Sequence, residues 1–339
     1  MLIRQRTVGI LLVLQAVALA MIALAALDLY AHKRLDVIAG MNIWGYRGVV
    51  AKQKQPHEIR VVVIGGTRAF GLGMPATWTI ATVVRQQMML AIDRPGHELR
   101  QVVSLTLARP GALPDSYFGT LEHFAYLKPD FICIYDDLGV GGAALPEERS
   151  GLFARTGYWP ALPIALLEKG MLWRFGSVRA GYVVDASIAE TPGWIRRTAG
   201  TGVESVGEAL LTTDRLLAPE WSVHRADDPE RYVTQLMRAV DIALSMSRGV
   251  VLAVSPAEVP VQHANAGALL PRVEARVVSE RRLRLVNLAD EPQLLDASQR
   301  LDGWNLGGDA IAAAANRVAP ALLDLLASVG SASTTRPAQ

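Results

Sequence analysis

Two hydrophobic patterns divide the chain. From Val8 to Leu27, twenty consecutive positions carry a single polar side chain, Gln15. At ~1.5 Å rise per residue, a helix of that length spans ~30 Å, the thickness of a bilayer's hydrocarbon core. A cleaved signal peptide is the alternative, and the Ala-rich sequence near Ala26 would suit cleavage. The run is longer than the roughly 7–15 residues of a signal's apolar region, so the reading is a transmembrane helix over 8–27 after a short segment 1–7. Arg4 and Arg6 before it nearly balance Lys33 and Arg34 after it. The short N-terminal side favours an N-inside topology. The expectation is a single-pass protein of the cytoplasmic (inner) membrane, its main domain facing the periplasm or extracytoplasmic side.

A polar connector, 28–58, separates this helix from a different pattern. Near-continuous Val/Ile/Leu runs alternate with segments of helical period, as in a parallel sheet buried on both faces. The strands expected are Arg60–Ile64, Gln101–Leu107, Phe131–Tyr135, Val250–Val254 and Leu283–Leu288. The helices expected include Trp78–Ile92, Ser116–Leu127, Pro229–Ser247, Gly267–Ser279 and Asp309–Leu326. The fold class is therefore α/β, a three-layer α/β/α domain over 59–329 around a five-stranded parallel sheet. A long insertion, about 143–228, falls between the third and fourth strands. Its segment Thr156–Ile164, rich in aromatics and prolines, leads into an apolar stretch Ala165–Phe175. A lid over the site, a segment at the membrane interface and a core helix all suit that composition. The Ser/Thr/Ala-rich tail, 330–339, is expected to be disordered. No internal repeat is visible.

Composition narrows the partners. The chain of 339 residues is 51% hydrophobic with a net charge of +2, and its mean hydropathy of +0.23 owes much to the N-terminal run. Lys and Arg are dispersed, with no basic stripe interleaved by aromatics, which argues against nucleic acid. Cys133 is the single cysteine, so there is no intramolecular disulfide and no Cys-based metal site. Within Phe131-Ile132-Cys133-Ile134-Tyr135 it reads as a packed, inert residue of a buried strand.

Sites in open parallel sheets form beyond the C-terminal ends of the strands. The first strand runs into Gly65-Gly66-Thr67-Arg68-Ala69-Phe70-Gly71-Leu72-Gly73. This is neither G-x-G-x-x-G nor a loop ending in Gly-Lys-Ser/Thr, so nucleotide-binding loops are poor matches. After the second strand comes Ala108-Arg109-Pro110-Gly111-Ala112, and after the third Tyr135-Asp136-Asp137-Leu138-Gly139. Before the last helix stands Asp302-Gly303-Trp304-Asn305-Leu306-Gly307-Gly308. The order and strand-end positions of these segments resemble the sequence blocks of the SGNH/GDSL hydrolases. Gly45-Tyr46-Arg47-Gly48 is similar to the lead-in of membrane-anchored members. The resemblance runs from about Tyr46 to Leu326 and is weakest in the insertion.

The resemblance implies an esterase-like, SGNH/flavodoxin-like fold and assigns positions. Thr67 stands where the family has its serine nucleophile, with Gly66 beside it, and Gly111 at the glycine whose N–H enters the oxyanion hole. The oxyanion Asn becomes Gly139, or Asp137 in a shifted alignment. Asp302 matches the family's Asp, and Asn305 replaces its His. In the family the hydroxyl attacks an acyl carbon while His takes its proton and Asp holds the imidazole. An amide at 305 cannot take that proton at neutral pH. Loss of the base costs about 10⁶ in rate in the subtilisin example. The extra methyl of Thr67 restricts χ1 and crowds the attack path, and loss of the Asn donor removes about 3 kcal/mol of transition-state stabilisation.

The resulting expectation is a catalytically degenerate, membrane-anchored SGNH-like protein of the cell envelope. It would bind an acyl-glycan or lipid ligand, or serve as partner to an acyltransferase or polysaccharide-assembly complex. An active acyl-ester hydrolase or acyltransferase using Thr67 with a substitute base, such as His263, is the alternative. A filled, closed site in a structural membrane protein is a third reading. The bilayer itself is the partner of Val8–Leu27. No cofactor is implied, and a metal at Asp136-Asp137 with Asp302 is weighed and not adopted, adjacent loop carboxylates being commonly solvated or capping groups.

Overall fold

In the computed structural model the Val/Ile/Leu runs become five parallel strands, β1 (Glu58–Gly65), β2 (Gln101–Thr106), β3 (Phe131–Asp136), β4 (Gly249–Val254) and β5 (Leu283–Asn287). Their order across the sheet is β2-β1-β3-β4-β5. The structure describes residues 2–35, 41–71, 74–92, 101–109, 112–138, 150–156, 158–176, 193–217, 228–258, 260–296, 298 and 306–333. All strand pairs are parallel, with Val61 opposite Phe131 and Phe131 opposite Gly249. The central strands β1, β3 and β4 are buried along their whole length. That explains why they read as continuous apolar runs without alternation.

Helices cover both faces. On one, α3 (Ile80–Ile92) and α11 (Gly308–Ser333) pack Ile80, Val84, Met88, Ile311, Ala315 and Leu322 against Val61, Val63, Cys133 and Val251. On the other, α4 (Pro114–His123), α8 (Pro229–Met246) and α9 (Pro260–Ser279) pack Tyr117, Leu236, Val240 and Leu269 against Val62, Ile64, Ile132 and Leu252. Each fully buried Val, Leu or Ile contributes about 1.5–3 kcal/mol. Asp228 caps α8 by accepting from the Arg231 N–H (3.2 Å), with Pro229 at the first helical position. α9 begins seven residues before the expected Gly267, and α11 continues through Ser333, so residues 330–333 of the expected disordered tail are helical.

α1 (Leu2–Leu35) is a single helix that contains the apolar run and extends eight residues past Leu27. Within it, Gly9–His32 is long and apolar enough to cross a membrane. The side chains of Ile10, Leu14, Leu19 and Ile22 are exposed, as suits a lipid-facing helix. α11 passes the same length test over Gly308–Ser328 but is half buried, because it forms part of the sheet's covering layer. The C-terminal turns of α1 dock on the domain. The Asp28 carboxylate accepts from the Leu162 N–H (2.6 Å) and the Tyr158 hydroxyl, and His32 Nε2 donates to the Trp159 carbonyl (2.8 Å).

The described part of the insertion is helical, with α5 (Gly151–Thr156), α6 (Leu162–Phe175) and α7 (Trp194–Leu216). α6 and α7 form a hairpin at backbone contact. A Cβ on Gly207 would lie 2.7 Å from Leu167 N and 2.8 Å from the Pro163 carbonyl, and one on Gly200 2.8 Å from the Gly170 carbonyl. Only a hydrogen fits there. Gly207→Ala must push the two helices apart, an overpacking cost of about 1–3 kcal/mol. Thermal unfolding followed by circular dichroism should show a lower Tm for Gly207→Ala and none of that loss for Gly202→Ala, whose added Cβ meets nothing.

Candidate functional site

The C-terminal ends of β1, β3 and β4 converge on a buried charge cluster. β1 ends at Gly65, and the chain turns through Gly66 into α2 (Thr67–Phe70). Thr67 therefore sits just past the C-terminal end of β1, 7% exposed. Across from it, β3 delivers Asp137, whose carboxylate lies against Gly66. A Cβ there would come within 2.6 Å of Asp137 Oδ1, so position 66 must be glycine for the turn and the carboxylate to coexist. Asp137 Oδ2 accepts from the Arg68 N–H (3.3 Å) and holds the turn from the β3 side.

The Arg68 side chain is itself buried. Its guanidinium donates to Ser255 Oγ (2.6 Å), directly after β4, and to Glu258 Oε1 (2.7 Å). Burial pushes the Asp137 carboxyl up to about 6, while the Arg68 charge opposes the rise. Its neighbour Asp136 faces the other layer and accepts from the Tyr232 hydroxyl of α8 (2.5 Å). Burial again, with the Asp137 charge in support, raises Asp136 to about 7 despite that hydrogen bond. The chain leaving β3 is fixed from α9: Gln262 donates to the Asp137 carbonyl (3.1 Å) and Asn265 to the Leu138 carbonyl (3.1 Å). Leu138 is held at φ 56, a left-handed conformation that costs a bulky residue about 1–3 kcal/mol.

Gly45-Tyr46-Arg47-Gly48 braces the same turn from outside. Arg47 exchanges backbone hydrogen bonds with Thr106 on the edge of β2 (2.9 and 3.2 Å). Its guanidinium donates to the carbonyls of Phe70, Gly71 and Met74 and lies over the Phe70 ring, 4.5 Å from its centroid. Arg109, after β2, donates its N–H to the Gly65 carbonyl (3.0 Å). Its guanidinium is covered by the rings of Phe153 and Trp159, at 5.0 and 5.2 Å.

Of the positions singled out in the sequence, Gly66, Thr67 and Asp137 come together here. Gly111, Gly139, Asp302 and Asn305 lie outside the described residues. His263 is exposed on the first turn of α9, and His123 packs on Phe124 and Phe153 with its pKa lowered by burial and by the Arg109 charge. Cys133 is fully buried and its thiol is pushed up to about 12, which makes it inert at neutral pH. Among the described residues no group of three His, Cys, Asp or Glu is placed to hold a metal ion. Arg68, Ser255, Glu258 and Tyr232 were not singled out. Ser255 follows β4 directly and Arg68 lies three residues past β1, and both were legible on that ground; Tyr232 on α8 gave no such signal.

No protein-family model matches this sequence, and neither does any curated protein. Solved structures that align with it include carbohydrate esterases. A family two esterase from Clostridium thermocellum, in complex with cellohexaose, shares 9% identity at a TM-score of 0.39, over 82% of this chain and 67% of its own. A family 3 esterase from the same organism shares 12% at 0.41, over 80% and 98%. An acetyl xylan esterase from the rumen bacterium Butyrivibrio proteoclasticus shares 9% at 0.33, over 83% and 66%. At these identities and TM-scores the likeness does not extend to function.

The two raised carboxyls make stability depend on pH in a stated direction. Between about pH 4, where an unfolded Asp titrates, and about 7, the folded chain binds more protons than the unfolded one. Stability is therefore greatest at the acid end of that window, falls as pH rises through it, and levels off above. Asp136→Asn, which keeps an oxygen for Tyr232, should flatten the slope. Urea unfolding at pH 5 and pH 8 measures it, and the wild type should be less stable at pH 8 by more than about 1 kcal/mol.

Proposed function

We propose that the chain is a membrane-anchored SGNH/GDSL-like protein of the cell envelope with a degenerate catalytic set. α1 is its anchor in the cytoplasmic membrane, and the domain lies on the extracytoplasmic side. Its site holds an acyl-bearing glycan or lipid ligand, or presents one to an acyltransferase or polysaccharide-assembly partner, without turning it over. The observation that carries this reading is the carboxylate of Asp137 against Gly66, one residue from Thr67. The developing oxyanion of an acyl transfer needs hydrogen-bond donors at such a place. An ionised carboxylate there repels it, and the adjacent Arg68 guanidinium is already engaged by Ser255 and Glu258. The amide at 305, in the position of the family's base, removes the group that would activate a hydroxyl.

Full-length protein in detergent micelles, assayed with p-nitrophenyl acetate, tests the reading. Wild type and Thr67→Ala should release nitrophenol at the same slow rate. Turnover abolished by Thr67→Ala would establish the competing reading, an active hydrolase or acyltransferase with Thr67 as nucleophile.

A further inference from the structure

We propose that the end of the α6–α7 hairpin marked by Leu172 and Trp194 is a second membrane contact, and that its occupant is the anionic headgroup layer of the bilayer that α1 crosses. Three observations converge on it. The base of the hairpin is welded to α1 by a buried polar junction in which Asp28, Ala31 and His32 are 7%, 6% and 4% exposed and Ala31 packs on Ala161 and Ala165. The hairpin thus starts at the level where α1 leaves the apolar span, and its position relative to the bilayer is set by hydrogen bonds rather than by a slack linker.

Among the described residues, the far end carries large apolar side chains that are exposed. Trp194 is 70% exposed, Ile195 65% and Leu172 38%. Arg196 and Arg197, both exposed, stand among them, while Arg174 is paired with Glu204 (3.1 Å). Trp beside Arg is the composition of an interfacial anchor, in which the ring enters the headgroup level and the guanidinium meets phosphate. Each basic residue near an anionic surface contributes roughly a fivefold preference. Finally, the backbone contact between α6 and α7 at Gly170, Gly200 and Gly207 makes the hairpin a stiff arm that can hold such an end in place.

This inference rests on the anchor reading and is independent of whether Thr67 reacts. The test uses full-length protein in nanodiscs with a nitroxide on the lipid headgroups, or on the acyl chains when the label is at 22. Cys133 is buried and inert, so single cysteines introduced for Ile195, Ile22 or His57 each take an NBD fluorophore alone. Quenching at 195 should greatly exceed that at 57, in front of β1. It should be stronger in discs containing phosphatidylglycerol than in pure phosphatidylcholine, and Arg196→Glu with Arg197→Glu should reduce it at least about fivefold. Quenching at 195 no greater than at 57, with 22 quenched, would overturn the proposal and leave the anchor standing. Quenching at 195 that ignores both lipid charge and the double substitution would overturn the headgroup assignment. A label at 22 that is never quenched would instead remove the anchor on which the proposal depends.

Discussion

A guanidinium taken out of water must find carboxylates, or the chain does not fold. Arg68 is 1% exposed at the crossing point of three strand ends, and desolvating such a charge costs several kcal/mol before any partner is counted. Ser255 and Glu258 from the β4 side and the charge of Asp137 from the β3 side offset that cost. The rest of the cluster follows from this one side chain. Asp137 can be buried because Arg68 is beside it, Gly66 must lack a side chain because Asp137 is there, and Thr67 is placed by the turn between them. Arg47 closes the outer side by holding the carbonyls of the loop that follows.

The fold was legible because a parallel sheet covered on both faces leaves a simple signature. Phe131–Tyr135 and Val250–Val254 are apolar at every position and lie in the structure where they were expected, to within a residue. Helix boundaries were less legible where polar residues do internal work. Gln262 and Asn265 look like loop residues, yet their amides bind the β3 exit, and that is why α9 starts at Pro260. The tail was misjudged at Gly330 because Ser and Ala tolerate helix well enough to carry α11 three residues further.

The site was legible in its location and only partly in its chemistry. Strand-end reasoning found Thr67, Gly66 and the Asp136-Asp137 pair. It treated the carboxylates as solvated or capping groups, whereas both are buried and turned to opposite layers, one to Tyr232 and one to the Arg68 turn. No pattern in the sequence distinguishes a buried Asp from an exposed one when its counter-ion lies 69 residues away along the chain, as Arg68 does from Asp137. The insertion behaved likewise. Its aromatics do not float over the sheet: Phe153 and Trp159 cover Arg109, and Trp159 takes a hydrogen bond from His32 of α1. α1, insertion and strand ends are thus mechanically continuous.

The central claim is that a buried ion pair, rather than a catalytic relay, organises the strand ends. A double-mutant cycle on Arg68→Met and Glu258→Gln, read by urea unfolding at pH 7, tests it most directly. The account predicts that the two losses are strongly non-additive, with a coupling of about 1–3 kcal/mol. Losses that simply add, to within about 0.5 kcal/mol, would contradict it.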